Sequence, residues 1–272
     1  QVAMSKGGKA WRGWFPLGDE LTSGRPDQKE GYYFGAELPD SDPRPMHGRN
    51  MFPDNSVPEL RHAVLEYIDA CTRVGQVLMR AVAEALGLDP DHYARSFSDP
   101  LVLFRIFLYP PVPENPGPDF QPFGVQEHTD YGYLTLLKQD DAGGLQVKNA
   151  LGEWIEAPPV PGTLVVNLGD ALQHNTGGLV RATPHRVKNK APRNRFSFPF
   201  FFDPNFDATM KSVVPLLPPE KRAKAERLRQ RKNDRWDGQR PEAFDGSYGQ
   251  YVLSKVSKVF PQFKQFLASS KL

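Results

Sequence analysis

From Leu101 onward the chain turns into a series of short β-prone runs, and this constrains its fold more than any other feature. Leu101-Val102-Leu103-Phe104-Arg105-Ile106-Phe107-Leu108-Tyr109 is β-branched and aromatic, and Pro110-Pro111 ends it. Further runs are expected at about 123–129, 132–138, 144–149, 153–157, 163–168, 183–188 and 195–202, with Gly or Pro between most of them. Many short strands separated by turn residues indicate a sandwich or barrel. Asp140-Asp141-Ala142-Gly143-Gly144 reads as a turn. Asn167-Leu168-Gly169-Asp170 leads into a helical turn from Ala171 to Asn175.

Strand context converts spacing into geometry. Residues i and i+2 of a strand point to one face, so His128 and Asp130 can aim into the same cavity from a strand or its end. His185 follows about 55 residues later, room enough for several strands to return a third ligand. An isolated H-x-D arises by chance, and His128 alone reads as a hydrogen-bonded histidine; the weight rests on the set. Two imidazoles and one carboxylate on one face of an ion leave the opposite positions open, which suits non-haem Fe(II). Zinc favours a closed or nearly closed tetrahedral site. Downstream, Arg195 and Ser197 share a face by the same parity. The guanidinium fork suits a bidentate grip on a carboxylate, and the hydroxyl adds a donor. His174 is the main competitor for a ligand role, but it lies in a turn without strand context. His47, His62 and His92 are expected to be surface or capping groups.

Glu127-His128-Thr129-Asp130-Tyr131-Gly132, Gly143-Gly144-Leu145-Gln146-Val147, Val165-Val166-Asn167-Leu168-Gly169-Asp170, Thr183-Pro184-His185-Arg186-Val187 and Arg195-Phe196-Ser197-Phe198-Pro199 occur in this order. Together they resemble the isopenicillin-N-synthase-like branch of the Fe(II)/2-oxoglutarate-dependent dioxygenases, from about Trp11 to about Phe263. The resemblance implies a double-stranded β-helix, or jelly roll, with the metal inside one mouth. It implies His128, Asp130 and His185 as metal ligands and as the catalytic centre. Arg195, Ser197 and Tyr109, the last from the pair Tyr109-Pro110, would bind the far carboxylate of 2-oxoglutarate. The family often has Asn two residues before that Tyr, where this chain has Phe107. Fe(II), 2-oxoglutarate and O2 are the implied cofactor and co-substrates, and ascorbate is admitted. The implied activity couples 2-oxoglutarate decarboxylation to oxidation of a C–H bond, hydroxylation by default, in a small-molecule substrate. Two alternatives stay open: an Fe(II) oxidase in which Arg195 and Ser197 hold the substrate's own carboxylate, and a catalytically silent binding protein on the same scaffold. Family members usually carry an N-terminal strand and helices before the point that matches Gln1, so a leader is expected to be missing.

For the substrate, parity selects Arg105 on the face it shares with Phe107 and Tyr109, and Phe201 and Asp203 on the face they share with Arg195. The bland readings are a strand-edge charge for Arg105 and ordinary core for Phe201. The segment 112–122 reads as a Pro-rich loop over the site.

The chain is expected to be mainly β with flanking helices: a loop and helix region over 1–99, the β-helix core over 100–205 and a helical region over 206–272. Residues 1–57 are Gly- and Pro-rich with scattered aromatics (Trp11, Trp14, Phe15, Tyr32, Tyr33, Phe34), read as satellite core or as walls of the site mouth. One long supporting helix is expected over 58–87, with Pro58 in the first turn, an apolar stripe from Leu60 to Leu86 and Gly87 as a stop. Cys71 lies on that stripe as a small buried hydrophobe. A short helix is expected from Asp89 to Phe97. The charged run over 218–239 could bind nucleic acid, but its mixed charge favours a solvated helix. An amphipathic helix from Tyr248 to Phe260 should pack near the site mouth or serve in subunit contact.

Composition bounds the partners. A formal net charge of +2 over 272 residues gives no reason to expect nucleic acid or an anionic membrane. No apolar run approaches the roughly 20 residues of a membrane-spanning helix. One cysteine excludes an internal disulfide framework and fits a reducing, cytoplasmic setting. The oligomeric state is not legible in the sequence.

Overall fold

The computed structural model describes residues 2–22, 24–112, 123–189, 192–229, 246–260, 262–263 and 265. The elements in order are β1 (Gly13–Phe15), β2 (Leu21–Thr22), β3 (Arg25–Pro26), β4 (Glu30–Gly35), α1 (Glu59–Leu86), β5 (Pro100–Tyr109), β6 (Val125–His128), β7 (Leu134–Gln139), β8 (Leu145–Lys148), β9 (Trp154–Glu156), β10 (Val165–Leu168), α2 (Asp170–Asn175), β11 (His185–Val187), β12 (Arg195–Asn205), α3 (Pro219–Arg229) and α4 (Tyr248–Val259). A six-stranded sheet has the order β1-β4-β5-β12-β7-β10, and a four-stranded sheet the order β6-β11-β8-β9. Their strand pairs are antiparallel, and the two sheets enclose a cavity. All seven strands expected after residue 122 are present.

Two long neighbours, β5 and β12, form the backbone of the larger sheet. Their parity sorts side chains cleanly. Leu103, Arg105, Phe107 and Tyr109 of β5, and Ser197, Pro199, Phe201 and Asp203 of β12, all line the cavity. The alternate residues Phe104, Phe200 and Phe202 turn away and are buried in the core. That second face is covered by α1. Its buried stripe includes Val64, Ile68, Cys71, Gly75, Met79 and Ala83. Gly75 is the point of closest approach: a Cβ there would sit 2.6 Å from the Phe202 ring. Gly87 ends the helix at φ 77°, its N–H donating to the carbonyls of Ala83 and Glu84. Burial raises the thiol pKa of Cys71.

The expected helix over Asp89–Phe97 is corrected. Asp89–Ala94 forms tight turns, with His92 N–H to Asp89 O and Ala94 N–H to Asp91 O, and a single 3-10 turn covers Arg95–Phe97. The Asp89 carboxylate accepts from the Asp91 N–H, and this local bond competes with a continuous helix.

Of the six N-terminal aromatics, Trp11, Phe15, Tyr33 and Phe34 are buried core, Tyr32 is half-buried and Trp14 is exposed; none of them lines the cavity. Trp11 packs on Phe263, while Phe15 and Tyr33 meet Phe260 edge-on. They brace the end of α4 from behind. That helix starts with a capping box between Ser247 and Gln250, and it lends Tyr248, Val252 and Val256 to the cavity. The charged run forms α3 as far as Arg229; its remainder, and residues 113–122 of the expected loop over the site, lie outside the described residues. No helix among the described residues is long and apolar enough to cross a membrane.

Candidate active site

The three candidate ligands converge. His128 ends β6 and is the register partner of His185 on β11. Their rings lie with centroids 4.2 Å apart. Asp130 follows just after the strand. Its carbonyl accepts from the Asp170 N–H at 2.8 Å, tying the loop to the start of α2. Asp130 Oδ1 is 3.7 Å from His185 Nε2. One donor atom from each of the three lies within 4.8 Å of the others. His174 belongs to α2 and not to this group.

Surrounding groups set the donors. His128 Nδ1 is 2.8 Å from Gln126 O, and His185 Nδ1 is 3.0 Å from Thr183 O. A carbonyl can only accept, so each Nδ1 carries a proton, and Nε2 is the ring atom left to face the cavity. Burial, then the neighbouring His185, holds the His128 pKa down to about 3. Burial alone would raise the pKa of Asp130. The two imidazoles and the donors Thr135 and Asn167 outweigh it and hold that carboxyl below its ordinary value. Thr135 Oγ1 donates to Asp130 Oδ2 at 2.8 Å. Neutral imidazoles beside an ionised carboxylate are the state that binds a divalent cation.

Next to the ligands lies a cradle for an anion. Arg195 opens β12 as the register partner of Tyr109, and Ser197 pairs with Phe107. Tyr109 and Ser197 line the cavity, whereas Arg195 is 1% exposed and stands beside that wall, its Cζ 4.8 Å from the Tyr109 ring centre. Arg195 Nε donates to Gly143 O at 2.5 Å and Nη2 to Gln139 Oε1 at 3.2 Å. Nη1 is buried without a hydrogen-bond partner. Leaving such a donor unpaired costs about 1–3 kcal/mol or more for a charged group, so the cradle fits a carboxylate. The donor set and the orphaned guanidinium N–H together fit an Fe(II) ion with a chelating 2-oxo acid.

The three expected substrate residues all reach the cavity, of about 130 Å³. Arg105 is no strand-edge charge. Its guanidinium lies 4.2 Å from the Tyr33 ring centre and 4.5 Å from that of Phe201. Asp203 is buried and accepts from the Tyr133 N–H at 2.7 Å. Burial pushes its carboxyl up to about 7, against the lowering effect of the Tyr133 N–H and the Tyr248 hydroxyl.

Sequence reasoning missed Glu20, Thr22 and Lys29, which line the same cavity from the N-terminal region. Glu20 and Lys29 are 5% and 2% exposed. Their signal is faint: charges flanking the aromatic run Tyr32-Tyr33-Phe34, with Lys29 just ahead of β4. His47 is also corrected. It is buried, edge-on to Phe206, with Nδ1 2.8 Å from Pro45 O.

Comparison with known proteins bears on this arrangement. A family model described as the 2OG-Fe(II) oxygenase superfamily matches residues 98–204, and one for the N-terminal region of non-haem dioxygenases in morphine synthesis matches 1–55. A protein named as a probable iron/ascorbate oxidoreductase of Dictyostelium discoideum is 44% identical, covering 94% of this chain and 75% of that protein. The chain belongs to the 2OG-Fe(II) oxygenase superfamily.

As a 2OG-Fe(II) oxygenase it is an enzyme that uses iron and 2-oxoglutarate, with a jelly-roll core. A 1-aminocyclopropane-1-carboxylate oxidase of Dictyostelium discoideum is 36% identical over 94% of this chain and 76% of its own length. A homoarginine-6-hydroxylase of Glycine max is 37% identical over 75% of this chain and 63% of its own length. Among solved structures, a full-length Neurospora crassa protein in complex with alpha-KG and thymine superposes with a TM-score of 0.71. It is 25% identical and covers 95% of this chain and 76% of that one.

Proposed function

We propose that His128, Asp130 and His185 hold the iron, that Arg195, Ser197 and Tyr109 hold the distal carboxylate of 2-oxoglutarate, and that the substrate is a small molecule oxidised at a C–H bond. Bound iron supplies O2 activation coupled to decarboxylation of the 2-oxo acid. The chain supplies the rest. Thr135 and Asn167 orient the carboxylate of Asp130, the carbonyls of Gln126 and Thr183 fix the imidazole tautomers, and Val125, Leu145 and Val187 keep the wall dry. Arg105, Phe201 and Asp203 lie on the cavity side assigned to substrate, with hydroxylation as the default outcome.

The observation that carries this reading is the three donor atoms within 4.8 Å of one another in a cavity shared with Tyr109 and Ser197. Its test is succinate release from 2-oxoglutarate, with Fe(II) present and then chelated. Release should depend on Fe(II) and vanish in His128→Ala; release that survives that substitution unchanged would overturn the assignment.

The relative named as an oxidase favours a second reading, in which Arg195 and Ser197 hold the substrate's own carboxylate. Substrate-dependent oxygen uptake without succinate would select it.

A further inference from the structure

One wall of the cavity carries a chain of buried charges, with Lys29 Nζ 4.8 Å from the Phe107 ring centre. Lys29 Nζ contacts Asp27 and lies 2.9 Å from Glu20 Oε2. Glu20 Oε1 accepts from the Tyr33 hydroxyl at 2.8 Å and faces Arg105 Nη1 at 3.4 Å. Cations and carboxylates thus alternate: Asp27, Lys29, Glu20, Arg105. Glu20, Lys29 and Arg105 line the cavity.

This chain of charges is costly unless it is used. Buried ion pairs offset their own desolvation poorly, and a hydrophobic set of similar volume would stabilise the fold as well. The Glu20–Arg105 contact is also incomplete. At 3.4 Å it is long for a charged hydrogen bond, and Arg105 Nε is buried without a partner. A carboxylate has about four lone-pair sites, so Glu20 can still accept. Tyr33 and Phe201 fix the guanidinium between their rings, so its N–H edge is already oriented.

We infer that Glu20 and Arg105 form a dipolar recognition site for a zwitterionic substrate, one that carries an ammonium and a carboxylate a few bonds apart, as an amino acid does. The carboxylate pairs with the free N–H edge of Arg105, and the ammonium with Glu20. A ligand of this kind satisfies both ends and leaves the charge of the wall unchanged. A singly charged ligand leaves the remaining hydrogen-bonding capacity of one end unmet inside the closed cavity, and an uncharged one leaves both so. The inference rests on the reading of this cavity as the oxygenase site.

The test uses the iron-loaded enzyme with 2-oxoglutarate and O2, and reads succinate formed above the rate without substrate. The probes are the protein L-amino acids, L-homoarginine and 1-aminocyclopropane-1-carboxylate. Each is set against its matched amine and its deaminated acid, with thymine as the uncharged control. At least one zwitterion should exceed both singly charged partners by about tenfold or more, the lower bound for one charge-assisted hydrogen bond. Glu20→Gln should then cut the preference for that amino acid over its deaminated acid about tenfold, and Arg105→Gln its preference over the amine. A melting curve checks that each variant folds; if one does not, the wild-type panel decides. Stimulation by thymine or singly charged probes alone, or by no zwitterion, overturns the inference while the oxygenase reading stands. Absence of succinate under every condition overturns both.

Discussion

His128 and His185 face each other as register partners across two antiparallel strands, with ring centroids 4.2 Å apart and both Nδ1 atoms turned to backbone carbonyls. The backbone pairing therefore sets two of the three donors before any ion arrives. The third, Asp130, lies past the strand end and depends on side chains for its aim.

That dependence makes Thr135 a sensitive position. Thr135→Val keeps the shape but removes the hydroxyl that donates to Asp130 Oδ2. Iron affinity, measured by titration against a competing chelator, should fall on the order of 10- to 100-fold, as for other partners of metal ligands. The melting temperature of the metal-free protein should change far less.

Arg195→Lys tests the anion cradle. Lysine keeps the charge and loses the fork that reaches Gly143, Gln139 and the free Nη1 position. The Kd for 2-oxoglutarate, measured calorimetrically with a redox-inert divalent metal, should rise about tenfold or more, the value of about 1.4 kcal/mol. An unchanged Kd would remove Arg195 from the site.

Asp203 predicts a pH dependence of stability. Burial raises its folded-state pKa from 3.8 to about 7. Between those values the unfolded chain has lost the proton and the folded one keeps it, so the unfolded state binds fewer protons. Stability therefore falls as pH rises from about 4 to about 7, by roughly 4 kcal/mol in all, and levels off above. Asp203→Asn removes this slope. In metal-free protein, the melting temperature of the variant minus that of wild type should grow across that range; parallel curves would refute the shift.

Gly75→Ala tests the docking of α1. Alanine gains about 1 kcal/mol of helix propensity. Its Cβ would stand 2.6 Å from the Phe202 ring, and overpacking of this kind costs about 1–3 kcal/mol. The clash should win, lowering the melting temperature by a few degrees without altering 2-oxoglutarate affinity.

Much of this was legible in the sequence, for physical reasons. The period of two on β5 and β12 places Arg105, Tyr109, Ser197, Phe201 and Asp203 around one hollow, and α1 follows from its apolar spacing and Gly87. Glu20 and Lys29 escaped because a charge in a Gly- and Pro-rich stretch reads as solvated. Their burial follows from the pairing of β4 with β5, which sets Tyr33 opposite Arg105 across more than seventy positions of sequence. The aromatics before residue 35 read as satellite core or as walls of the mouth; core is what forms for Trp11, Phe15 and Tyr33, through contacts the sequence alone does not display. Their partners are Phe260 and Phe263, at the far end of the chain. The turns after Asp89 depend on one local side-chain bond that competes with helix.

The pairing of β5 with β12 has a consequence for how such an enzyme can change. One end of the pair joins Tyr109 to Arg195, and the other joins Leu103 to Phe201 and Leu101 to Asp203. At the strand rise of about 3.3 Å per residue, Tyr109 and Leu103 stand roughly 20 Å apart along the ribbon. On the assignment proposed above, mutations at the second end would redraw what the enzyme accepts while the first went on gripping the same small acid, so new specificities would arise without rebuilding the engine.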